Sequence, residues 1–343
     1  MNHPAPIPSA PAAMSTAPAK TIAIACQGGG SHTAFTGGVL QALLRNLNPS
    51  EHRIIGLSGT SGGALCATIA WYSLLLGNPG RGAELLEAFW QDMSATQLPD
   101  SLFNSFLVWL QRGSGYLAMP EISPYQLPTG GQEILAETIK RHVDFAQLPN
   151  LIGANSPRLL VGAVDVLSGQ FTVFHSHHPQ AEKGITPEAL LASAAIPELF
   201  RAVRIGHGLY WDGLFSENPP VRGFLAGGQS QADKPDEIWI IQINPERRRQ
   251  EPKLSSEIID RRNELAGNLS LNQELSFVDQ TNKWLAKGWL NAEHFKQVKV
   301  RHIPLKRELD YPSKLDRSPD FINSLLVEGQ REGLAFLHTL RHA

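Results

Sequence analysis

The chain has 343 residues, 42% of them hydrophobic, and its 30 basic and 32 acidic side chains leave a net charge of -2. That is enough apolar material for a large core, and nothing in the near-balance of charge favours nucleic acid, which usually needs a concentrated basic face. Two cysteines, Cys26 and Cys66, are too few for a disulfide scaffold and fit a reducing, cytoplasmic compartment; each lies in an apolar run and reads as a buried, inert thiol.

The first 20 residues are rich in Pro and Ala and lack the basic start and continuous apolar stretch of a secretory signal, so Met1–Lys20 reads as a disordered leader. Thr21–Cys26 is a short apolar strand that runs directly into Gly28-Gly29-Gly30. The spacing of Phe35, Val39, Leu40 and Leu43 predicts a helix from about His32 to Leu47. A second strand over Arg53–Leu57 and a second helix over Gly63–Leu76 follow. The run from Ile54 to Gly80 is uncharged, but its glycines and hydroxyls leave no apolar part long enough to span a bilayer. Strand, glycine turn and helix, repeated, predict a three-layer α/β/α fold around a mostly parallel sheet.

Further along, Leu102–Leu110 is apolar on nearly every face, as a core helix or a lid over a site would be. Leu159–Val166 and Gln170–His175 flank Leu167-Ser168-Gly169 as a hairpin. A short helix over Pro187–Ala195 ends at Pro197. Short strands are expected at Ala202–Ile205, Leu209–Trp211, Glu237–Ile243 and Val298–Ile303, and long helices at Ser255–Lys287 and Pro319–Leu340. The simplest domain plan is one catalytic unit over 21–343, helical in its last part from about residue 250. Nothing in that last part points to an activity of its own.

Gly59-Thr60-Ser61-Gly62-Gly63 fits a nucleophile elbow in the context it requires, after a strand and at the opening of a helix. The turn drives the Ser61 hydroxyl out of the sheet, and the helix that follows sets positive dipole character beside it. Gly28, Gly29 and Gly30 can turn successive backbone N–H groups toward one point, a nest for an oxyanion or a phosphate. A dinucleotide site would need a third glycine where Thr33 stands, and a P-loop would need a Lys that is absent. Asp212-Gly213, set among Tyr210, Trp211, Leu214 and Phe215, is a carboxylate in apolar surroundings or the start of an Asp-Gly turn.

The order of these pieces resembles the patatin-like phospholipases. The resemblance extends to Ala192-Ser193-Ala194-Ala195-Ile196-Pro197 and covers about residues 21–220. It implies a Ser61–Asp212 dyad without histidine, and an oxyanion hole from Gly28, Gly29 and Gly30 with the N–H of Gly62. It also implies lipid carboxylic esters as substrates, peripheral contact with a lipid surface, and no cofactor or metal. The chain departs from the family pattern after the glycine run, where Ser31-His32-Thr33 replaces the usual Arg or Lys followed by Gly. Leu214 likewise stands where a small residue is usual.

Two alternatives remain open at the level of sequence. One is a silent lipid- or partner-binding protein with this fold. The other is a Ser-His-Asp esterase of small esters, with His294 or His302 as its base. His175, His177 and His178 have no further ligands near them for zinc and read as a polar turn. Arg247-Arg248-Arg249 reads as a solvated charge run, and Trp284 and Trp289 among Lys283 and Lys287 as a packed helix face or a membrane edge.

Overall fold

The computed structural model describes residues 18–96, 123–126, 130–197, 199–226 and 230–341. Its strands are Lys20–Cys26 (β1), His52–Gly59 (β2), Arg158–Asp165 (β3), Phe171–His175 (β4), Val203–Ile205 (β5), Gly208–Asp212 (β6), Glu237–Gln242 (β7) and Lys299–Pro304 (β8). The longer helices are Ala34–Asn46 (α1), Gly62–Leu75 (α2), Pro79–Met93 (α3), Gly130–His142 (α4), Pro187–Ser193 (α5), Ser255–Ala286 (α6) and Pro319–Arg341 (α7).

β1 is buried on both faces from its second residue onward, because it lies inside the sheet and both faces are covered. Its odd and even residues serve two different cores. Ile22, Ile24 and Cys26 pack with Phe35 and Leu40 of α1, Ile69 of α2, Leu86 of α3 and Leu325 of α7. Ala23 and Ala25 face the other way, with Ile238 and Ile240, against Leu271 and Val278 of α6. The period-2 strand pattern therefore builds both layers. The two long helices beyond residue 250 cover opposite faces of the same sheet.

The eight strands form one sheet in the order β5-β6-β3-β2-β1-β7-β8, with β4 paired to β3. Parallel ladders join β3, β2, β1, β7 and β8, and antiparallel ladders join β4 and β6 to β3 and β5 to β6. The registers on β3 place the site. β4 pairs along Leu160–Val164, so β2, reaching Val161, and β6, starting at Ala163, must share the other edge of β3 end to end. Gly59 lies opposite Val161 and Asp212 opposite Ala163, which points the elbow after β2 at the end of β6.

Several sequence expectations shift. The first helix opens with a 3-10 turn at Gly30–Thr33 before α1 begins at Ala34. α3 and α4 were not anticipated, although α3 carries a readable start: Asn78 caps the Arg81 amide at 3.1 Å and Pro79 follows it. Arg248 is not simply solvated, since it meets Glu264 at 2.7 Å. The Leu102–Leu110 segment and positions 1–17 of the leader lie outside the described residues. No helix among the described residues is long and apolar enough to cross a membrane.

Candidate active site

Ser61 sits between β2 and α2 with φ 56° and ψ -134°, and is the one non-glycine residue at positive φ among the described residues. Such a backbone costs on the order of 1–3 kcal/mol and persists only where its surroundings enforce it. The enforcing contacts are specific. The Ser61 amide donates to the Ser193 hydroxyl at 3.0 Å, and that hydroxyl donates to the Gly162 carbonyl of β3 at 2.7 Å. Thr60 turns away and donates to the Glu217 carbonyl at 2.6 Å.

The glycine loop is held by the next residue of that segment. The Gly28 amide donates to Asn218 Oδ1 at 2.6 Å, so it is committed to scaffolding and does not point into the site. Gly28 must still be glycine, because a Cβ there would come within 2.9 Å of the Ser61 Cβ. Gly30 takes φ 57°, the left-handed region that glycine enters freely. Gly62 opens α2 immediately after Ser61. Its amide is thus one of the first-turn N–H groups that no intrahelical acceptor takes.

Asp212 ends β6 and is almost fully buried, with 1% exposure. Burial drives its carboxyl up to about 7, opposed by the Leu214 amide, by a hydrogen bond with the Ser61 side chain, and by the charge of Lys314. The Leu214 amide donates to Asp212 Oδ1 at 2.8 Å, and the Asp212 amide donates to the Ala195 carbonyl at 3.0 Å. A carboxylate raised close to neutrality and placed against a serine hydroxyl has the basicity to take its proton.

Ser61, Asp212 and the Gly28–Gly30 loop line one cavity, whose walls add Ile196, Pro197, Leu199, Leu214 and Leu315. These aliphatic groups give it an apolar side suited to a hydrocarbon chain. Tyr311 and Lys314, from the region beyond residue 250, complete the lining. No histidine lines this cavity among the described residues. His302 lies on β8 and meets Gln242 Oε1 at 3.1 Å.

His32 is buried and its Nε2 meets the Ser313 hydroxyl at 2.8 Å. Burial and the charges of Lys314 and Arg307 hold it well below its ordinary pKa, so it is neutral and contributes no charge. His177 meets the Ser176 hydroxyl and the Gly153 carbonyl, and His175 stacks edge-on to His178 at 4.7 Å. The thiols of Cys26 and Cys66 are free and buried, Cys66 pushed up to about 12 by desolvation, which leaves little thiolate.

Sequence reasoning missed Ser193, Asn218 and Lys314. Ser193 stands in the small-residue segment that supports the resemblance, but nothing in its context reveals that its hydroxyl holds the nucleophile's amide.

Among solved structures, the chain is similar to VipD from Legionella pneumophila at 13% identity and a TM-score of 0.43, covering 94% of this chain and 67% of that one. It is also similar to ExoU of Pseudomonas aeruginosa, solved with SpcU, at 14% identity and a TM-score of 0.39, covering 95% of this chain and 52% of ExoU. The chain thus spans about two thirds of the first and half of the second. No curated protein matches it. Residues 24–225 match the patatin-like phospholipase family, and the chain belongs to that family.

Proposed function

We propose that the protein hydrolyses carboxylic esters of lipids, phospholipid or lysophospholipid acyl chains, with Ser61 as nucleophile and Asp212 as its base. The observation that carries this is the strained Ser61 turn set against a buried carboxylate raised to about 7. Asp212 takes the hydroxyl proton as Ser61 Oγ attacks the ester carbonyl. The oxyanion is received by the amides of Gly29, Gly30 and Gly62; Gly28 shapes the loop but, with its amide on Asn218, is not a donor. Collapse breaks the ester C–O bond, and Asp212 returns the proton to the departing alcohol. Water, deprotonated by Asp212, then attacks the acyl-serine; the acid leaves and Ser61 regains its proton.

The aliphatic cavity wall supports an acyl chain as the bound group. Trp289, 67% exposed with Lys287 Nζ 4.6 Å from its ring centroid, suits peripheral contact with a lipid surface.

The test is labelling with a fluorophosphonate, followed by mass mapping. Modification at Ser61 that vanishes in Ser61→Ala and slows steeply in Asp212→Asn is the expected result. A folded protein that takes no label would sink the hydrolase reading.

A further inference from the structure

The glycine loop carries no cation of its own, because His32, in the turn that follows it, is buried and neutral. A positive charge nevertheless reaches the loop from far along the chain. The 3-10 turn Tyr311–Leu315 packs on the loop, with the Lys314 carbonyl so close to Gly30 that no Cβ would fit there. The Lys314 stem runs beside Gly29, its Cε 3.6 Å from where a Gly29 Cβ would lie. Lys314 lines the same cavity as Ser61 and Asp212.

Lys314 is held on two sides. His32 grips the preceding residue through the Ser313 hydroxyl at 2.8 Å. Lys314 Nζ donates to Asn244 Oδ1 at 2.9 Å, and the backbone N–H of Asn244 donates to Gln27 Oε1 at 3.0 Å, one residue before the glycine run. An ammonium has three donors; this amide oxygen occupies one, and the Tyr311 ring centroid lies 5.0 Å from Nζ on another side. The charges facing it are Glu264, Asp260 and Asp212, with Arg307 also acting on His32, and none of these carboxylates closes an ion pair with Lys314 among the described residues.

We propose that Lys314 supplies the positive charge that stabilises the oxyanion in this site, and that His32 acts as a neutral peg positioning it. The proposal rests on the hydrolase reading above. The surroundings fit a charge that titrates in the working range: desolvation brings Lys314 down to about 8, while Glu264, Asp260 and Asp212 hold it up.

The experiment is turnover of p-nitrophenyl butyrate, an ester without phosphate, by the full chain across pH. Wild type is compared with Lys314→Met, Lys314→Arg and His32→Ala, each checked for folding by thermal melting. Lys314→Met is expected to lower kcat about a hundredfold with KM nearly unchanged, the scale of losing one oxyanion contact. It should also erase the alkaline fall near pH 8. Lys314→Arg keeps most of kcat and moves that fall out of range, because a guanidinium stays charged. His32→Ala lowers kcat but keeps the fall, since the ammonium remains.

An unchanged kcat in Lys314→Met, or a loss in KM alone, overturns the proposal. Should that variant not fold, an alkaline limb that stays near pH 8 in Lys314→Arg overturns it equally. Normal Lys314 variants beside a dead Asp212→Asn would fail this inference alone. A wild type without turnover or Ser61 labelling would fail both.

Discussion

The amide of Ser61 donates to the Ser193 hydroxyl, and two residues later the Ala195 carbonyl accepts the amide of Asp212. The C-terminal end of α5 and the two residues after it therefore hold both members of the proposed dyad by their backbones. Ser193 is fully buried, and its hydroxyl also donates to Gly162, so truncation leaves the Ser61 amide and the Gly162 carbonyl without that partner. Ser193→Ala is expected to cost about 1–3 kcal/mol of stability, the penalty of unsatisfied buried groups. It should lower kcat about tenfold to a hundredfold by loosening the elbow. Denaturant midpoints and fluorophosphonate labelling rates measure the two effects. A normal labelling rate in a destabilised protein would reduce Ser193 to a purely structural role.

Turnover should rise with pH through about 7, because only the ionised Asp212 accepts the Ser61 proton. Lys314 is one of the groups drawing that carboxyl downward, so removing its charge should move the acid limb to higher pH. A kcat/KM profile of wild type and Lys314→Met checks both points. An acid limb near the ordinary carboxylate range of about 4 would show that burial does not raise the base to near 7, and a limb that persists in Asp212→Asn would show that Asp212 is not the titrating base.

The same carboxyl makes a stability prediction of definite sign. Its folded-state pKa is raised above the unfolded value, so the folded state binds the extra proton between about pH 4 and about 7. Stability is therefore lost as pH rises through that window, by an amount on the order of a few kcal/mol, and stays reduced above it. Asp212→Asn removes the buried charge and retains an oxygen for the Leu214 amide. It should melt higher than wild type at pH 8, by several degrees, and alike at pH 4. Melting curves at the two values decide it; equal differences at both would mean the effect is not linked to ionisation.

How much of this was readable follows from how local each signal is. The elbow, the glycine run and β1, β2 and β7 are contiguous, with apolar runs and glycine turns of their own, and the structure has them close to where the sequence puts them. The meeting of Ser61 and Asp212 depends instead on β2 and β6 sharing one edge of β3, a fact of register that no local pattern encodes. It was accessible only through the family resemblance. Lys314 lies in a polar stretch whose spacing resembles a surface turn, and its place beside Gly29 and Gly30 comes from the packing of Tyr311–Leu315. α3 is the opposite case. Its Asn78 cap, Pro79 and buried Leu85, Leu86, Phe89 and Trp90 form a helical signal that needed no tertiary information.

Gly28 gives a test of the loop that does not depend on charge. A Cβ there would press on the Thr60 carbonyl and lie 2.9 Å from the Ser61 Cβ, while its amide is fixed to Asn218 at 2.6 Å. Neither side yields easily: Thr60 is tied to Glu217 and Ser61 to Ser193. Gly28→Ala should cost about 1–3 kcal/mol by overpacking. The displaced elbow should lose turnover by up to about a hundredfold, since a misplacement of about 1 Å can be that costly. Gly130→Ala, at the start of α4 with none of the described residues near an added Cβ, serves as the control and should be neutral or slightly stabilising. Kinetics and denaturant midpoints for both variants make the comparison. Full activity in Gly28→Ala would mean that the loop can retreat from Ser61, and the tight contact between them would then have no part in catalysis.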